Sequence, residues 1–189
     1  MSSSFSNRLA SLVLAGTIAA CAPVLLRAAD AAMPPAAPVV TTAVAVLSPT
    51  QGNEVHGTVR FTKVATGVRV VADLTGLKPG EHGFHVHEFG DATSADGMAT
   101  GGHFNPMHEV HGGPSSEHRN EGDLGNITAD ASGHATLDYV DSKLAFDGTG
   151  SILGRSVVIH ADRDDIAAQP SGNAGKRVAV GVIGIVKSP

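Results

Sequence analysis

Cysteine is almost missing from this 189-residue chain: Cys21 stands alone, and there is no tryptophan. One thiol excludes an internal disulfide, so a folded domain here must be held by other means. Aromatic residues make up only 4% of the chain while glycine numbers 23. A core of small β-branched side chains broken by frequent turns suits that composition better than a helical bundle. No segment carries a helical stripe of useful length, and there is no internal repeat. Basic residues are outnumbered, giving a formal net charge of −5, and no basic cluster offsets it. That balance excludes nucleic acid as a partner and favours solubility.

The first 30 residues read as an export signal. Arg8 precedes a largely apolar run, LASLVLAGTIAACAPVLL, which Pro23 interrupts. TIAAC resembles the box before the lipid-modified cysteine of bacterial lipoproteins. Ordinary cleavage after Ala22 or near Ala31 is the competing reading, and both place the protein in the periplasm or on the outer side of a membrane. Residues 31–40, AAMPPAAPVV, are a tether. An exported β domain with no cysteine pair is unusual.

From residue 41 to 189 the pattern changes to period two, the signature of half-buried strands. Strands are expected at 41–47, 54–62, 67–74, 83–89, 124–130, 134–140, 155–161 and 177–186. Eight short antiparallel strands imply an all-β Greek-key β-barrel or sandwich. Two intervals are too long for simple connections, 90–122 and 161–176, and intervals of that length are usually functional or disordered. The first is crowded with histidine, glycine and acid, which favours function.

HGFHVHEFGD, residues 82–91, puts His85 and His87 on one face of a strand, roughly 6.5 Å apart. Phe84, Val86 and the ring of Phe89 are left for packing. Two such imidazoles can reach one metal ion. Ten histidines would produce about half an H-x-H pair by chance, so the pair alone decides little. His82 is expected to bond the backbone of a neighbouring loop, and His56, His108 and His134 to lie at the surface. Asn126-Ile-Thr128 fits a glycosylation pattern that a bacterial-type signal makes irrelevant.

Six segments in order resemble the copper/zinc superoxide dismutases: HVH at 85–87, GGHFNP around His103, HGGP at 111–114, GDLGN at 122–126, VVIHADRDD at 157–165 and GNAGKRVAVGVIGIV at 172–186. The likeness spans most of residues 41–187. It implies an eight-stranded Greek-key barrel, commonly a homodimer, that converts superoxide to dioxygen and hydrogen peroxide. It also implies His85, His87 and His160 as copper ligands, His103 as the bridge between copper and zinc, and His111 and Asp123 as zinc ligands. Asp164 becomes the carboxylate that ties His85 to His111, and Arg177 the guide for the anion. The chemistry suits these residues: imidazole serves both oxidation states of copper, and a fixed positive charge draws in an anion. On this likeness His103 also carries the proton that leaves with peroxide. A copper-buffering protein without catalysis is the rival, and it would have no need of Arg177.

The chain departs from the pattern in three places. The third zinc histidine falls on Asn120, a poor zinc ligand, with His118 and Glu121 as nearby substitutes, so zinc is expected weakly bound, held through a substitute, or absent. The family's two cysteines fall near Asp96 and at Val180. Losing such a bridge typically costs about 2–5 kcal/mol, and the loop must be held otherwise. The 161–176 loop is short and its one lysine is Lys176, so steering rests on Lys176 and Arg177.

Overall fold

In the computed structural model, which describes residues 39–187, every stretch of period-two sequence is a strand. In order these are β1 (Thr42–Pro49), β2 (His56–Val64), β3 (Gly67–Thr75), β4 (Gly80–His87), β5 (Asp123–Ala129), β6 (Ala135–Asp141), β7 (Ser156–His160) and β8 (Arg177–Ile185). The export signal with Cys21, and most of the 31–40 tether, lie outside the described residues.

β3 shows why these segments are strands. Val68, Val70, Ala72 and Leu74 are buried while the residues between them face outward. Only an extended chain puts alternate residues on one face. Neighbouring strands close the ring in the order β1-β2-β3-β6-β5-β4-β7-β8. The steps from β3 to β6 and from β4 to β7 are the Greek-key crossovers. Among the described strands, closure leaves no free sheet edge except along the sparsely paired β5–β6 seam. The interior is filled by small branched residues and a few phenylalanines, among them Val59, Phe61, Phe84 and Ile159.

The seam between β5 and β6 is the loosest, since only Ala129 and Ala135 pair across it. The connections 88–122 and 161–176 are the two long intervals expected. Residues 142–155 make a third, the crossover from β6 to β7, with a bridge between Ala145 and Ser151.

One packing expectation fails. Phe89 is not in the core but 57% exposed. It follows β4, where the chain has left the barrel, and Val46 and Val182 are exposed as well, at 64% and 40%. Val46 and Val182 lie on the paired strands β1 and β8, and Gly90 packs beside Val182.

Candidate metal centre

Alternation along β4 builds the first half of the site. Phe84 and Val86 enter the core, so His85 and His87 face outward beneath the two long loops, and both are buried. Their ring centroids are 6.4 Å apart, as one strand step requires. β7 lies beside β4, with His85 opposite Val158, and its last residue His160 is brought to the same face. His103 arrives from the 88–122 loop through a bridge to His87. One ring nitrogen from each of these four histidines lies within 4.8 Å of the others.

The second nitrogen of His87, His103 and His160 is hydrogen-bonded, which fixes ring orientation and tautomer, while that of His85 faces a carboxylate. His87 Nδ1 donates to the Gly101 carbonyl at 2.9 Å, and His160 Nδ1 to that of Gly175 at 3.1 Å. His85 Nε2 stands 3.2 Å from Asp164 Oδ2, and His103 Nδ1 lies 2.9 Å from Asp123 Oδ1. His85 Nδ1 is buried and unpartnered, while the Nε2 atoms of His87 and His160 converge to 3.3 Å with no better acceptor. Lone pairs directed at one buried point, with no hydrogen bonds to satisfy them, suit a metal ion that takes imidazole ligands.

The second cluster is His103, His111 and Asp123. His111 Nδ1 is 3.1 Å from Asp123 Oδ1, and its Nε2 is 2.9 Å from Asp164 Oδ1. Asp164 therefore joins His85 to His111, as the sequence implied. Its backbone is clasped by Asn126, whose Oδ1 accepts from the Asp164 amide at 2.7 Å and whose Nδ2 donates to the Asp164 carbonyl at 3.0 Å. Gln169 clasps the His111 backbone likewise, at 2.9 Å each way. Neither clasp carries a sequence signal beyond an amide in a loop.

The substitutes for the missing zinc histidine fare differently. His118 is 70% exposed and turns to Glu109, 3.5 Å away, so it is not in the site. The reason is local. Arg119, 1% exposed, is drawn inward by Asp141 at 2.7 Å, which carries Asn120 in with it and leaves His118 outside. Glu121 is buried but does not join the cluster of donors. His82 bonds two backbone carbonyls, those of His160 at 2.9 Å and Lys78 at 2.8 Å, which engage both of its ring nitrogens. His56, His108 and His134 are exposed.

Arg177 lines a cavity of about 340 Å³ together with His87, His103 and His160. Its guanidinium also replaces the missing disulfide. It donates to the carbonyls of Gly97 and Gly101 at 2.7 and 2.6 Å and to Thr100 Oγ1 at 2.8 Å. Val180, at one expected cysteine position, packs against Gly97, whose φ of +75° and lack of a side chain allow that approach. Gln51 holds Ala95 through a 2.7 Å backbone bond.

Charge follows from these contacts. Burial pushes His85 down to about 4 and His160 down to about 3. Burial also opposes charge on His111, but hydrogen bonds to Asp123 and Asp164 prevail and raise it to about 9. Burial works against the Asp123 carboxylate too, yet His103 and His111 hold it well below the usual range. The metal-free protein should therefore be most stable near pH 6.5. Above that, His111 loses its proton while folded, and stability falls as pH rises through about 9. Below it, unfolded histidines take up protons that His85 and His160 refuse, and stability falls toward pH 4. Thermal midpoints of the metal-free protein across this range check the prediction; a midpoint still climbing at pH 9 would refute it.

A family model described as copper/zinc superoxide dismutase (SODC) matches residues 55–183 of this chain. Among solved structures, the crystal structure of the clock protein EA4 is similar, with 45% identity and a TM-score of 0.72, covering 78% of this chain and 96% of that one.

Proposed function

Since the chain belongs to the copper/zinc superoxide dismutase family, we propose that it is an active, exported superoxide dismutase that protects the extracytoplasmic space. One observation carries the reading: of four converging imidazoles, those of His87, His103 and His160 open onto a cavity that Arg177 lines. A copper buffer needs the imidazoles but gains nothing from a guanidinium beside them.

His85 Nδ1 and the Nε2 atoms of His87, His103 and His160 would hold copper, which supplies one-electron exchange with superoxide. The protein's own groups do the rest. Arg177 spends three N–H groups on the loop, which leaves two without an acceptor among the described residues. These can bind a small anion at the cavity. His103 spans both clusters and is held at Nδ1 by Asp123, so its Nε2, whenever it is not bound to copper, can take a proton and release it to the departing peroxide. Two superoxide anions and two protons give one dioxygen and one hydrogen peroxide, with no other reductant. Zinc in the second cluster would fix His103 and draw His111 and Asp123 together.

The test joins rate to stoichiometry. Copper-loaded protein given superoxide should speed its decay well above the spontaneous rate and yield one peroxide for every two superoxide anions consumed. Copper that stays bound while superoxide disappears only at the spontaneous rate would establish the buffer instead.

The exposed Val46, Phe89, Val182 and Ile185 favour a second copy of the chain as partner, and export rests on the pattern of residues 1–30. Sedimentation at twice the chain mass is the expected result for the dimer; a monomer at micromolar concentration would exclude it.

A further inference from the structure

The second cluster offers only three strong donors, His103 Nδ1, His111 Nδ1 and Asp123 Oδ1, whereas structural zinc takes four. A further buried polar group reaches the same point. Asn120 is 2% exposed, and its Nδ2 donates to Asp123 Oδ1 at 3.2 Å. Around that oxygen the neighbours stand at 2.9 Å (His103), 3.1 Å (His111) and 3.2 Å (Asn120). Ligands on a tetrahedral ion with bonds near 2.0 Å are separated by roughly 3.3 Å. The three distances to Asp123 Oδ1 already match the ligand spacing of a coordination shell.

Asp123 Oδ2 is engaged elsewhere. It accepts from the Gly112 amide at 2.9 Å and the Asn120 amide at 3.1 Å, which leaves Oδ1 for the ion. The other end of the Asn120 side chain, Oδ1, is buried with no partner at all. A half-turn of the amide exchanges its nitrogen and oxygen at almost no change of shape. Without a cation that turn would set two oxygens face to face, so the nitrogen faces Asp123. With a cation between them, the oxygen is the better neighbour.

We propose that Asn120 completes the second cation site through its amide oxygen, giving a shell of two imidazoles, one carboxylate and one neutral oxygen. The amide turns over when the ion binds. Because the oxygen is neutral, the site holds zinc at least tenfold more weakly than one with a fourth charged ligand. This inference rests on the family reading of the site but does not depend on dismutation.

The experiment measures zinc affinity of the full chain, its first site filled with copper, by competition with a chromogenic chelator. Asn120→Ala should weaken zinc at least tenfold, and Asn120→Asp should tighten it at least tenfold. His118→Ala and Glu121→Gln should change it less than twofold. With cuprous copper in the first site, the Asn120 side-chain NH₂ resonances should shift on zinc addition. An unchanged affinity in Asn120→Ala, a tenfold loss in His118→Ala or Glu121→Gln, or no zinc uptake by the parent protein would each overturn the proposal. Dismutation with copper alone, measured on the same samples, shows separately whether the functional reading stands.

Discussion

Arg177→Ala is expected to lower the dismutation rate at least tenfold while copper stays bound. The ligand set is untouched by the change, since His85, His87, His103 and His160 contribute the converging nitrogens and Arg177 contributes none. The loss falls on the anion, which no longer meets a fixed positive charge in the cavity; steering of this kind is worth about 10–10³ in association rate. A second loss accompanies it. Arg177 clamps Gly97, Thr100 and Gly101, and the Gly101 carbonyl orients His87. Arg177→Lys separates the two effects. It keeps the charge but cannot span three acceptors, so it should recover part of the rate and leave the 95–101 segment more open to hydrogen exchange. Measured copper content with the rate of superoxide decay decides the matter. An unchanged rate in Arg177→Ala would remove Arg177 from the catalytic account.

Gly172→Ala should cost the site much of its stability. A methyl group there would stand 1.5 Å from Asp164 Oδ1 and 2.7 Å from His111 Nε2, and the backbone φ is +72°. Something must give. Either the 161–176 loop shifts, or the Asp164 carboxylate turns away from both His85 and His111, leaving buried polar groups unpaired. Breaking a buried pair of this kind costs roughly 3–5 kcal/mol. Gly148→Ala is the control, because φ is +67° there and nothing lies within 4 Å. It isolates the backbone strain, about 1–2 kcal/mol. Thermal unfolding of both variants checks the difference. Equal losses would mean that the close approach over Asp164 does not matter.

The parts of the molecule legible in its sequence were those governed by short-range periodicity. Alternation placed all eight strands to within a few residues and set His85 and His87 on one face. The resemblance to the family, carried by six motifs in order, implied that His160, Asp164 and Arg177 lie around them. The parts that were not legible depend on the path of a loop. His118 and Asn120 are two residues apart, and counting cannot say which turns inward; the buried pair of Arg119 with Asp141 decides it. Phe89 looked like packing because aromatic rings usually are, but the strand had already ended. Asn126 and Gln169 brace the site through ordinary amide bonds to backbone, a contact that any loop amide could make. Arg177 could be read as a charge beside the site, but its hold on the loop became visible only once Gly97, Thr100 and Gly101 were folded next to it.

The most direct test of the account is the rate of superoxide decay as copper is added stepwise to the metal-free protein. The expected rate climbs linearly and levels off at one bound copper per chain. Copper that binds with one-to-one stoichiometry while superoxide decays no faster than in buffer would contradict it.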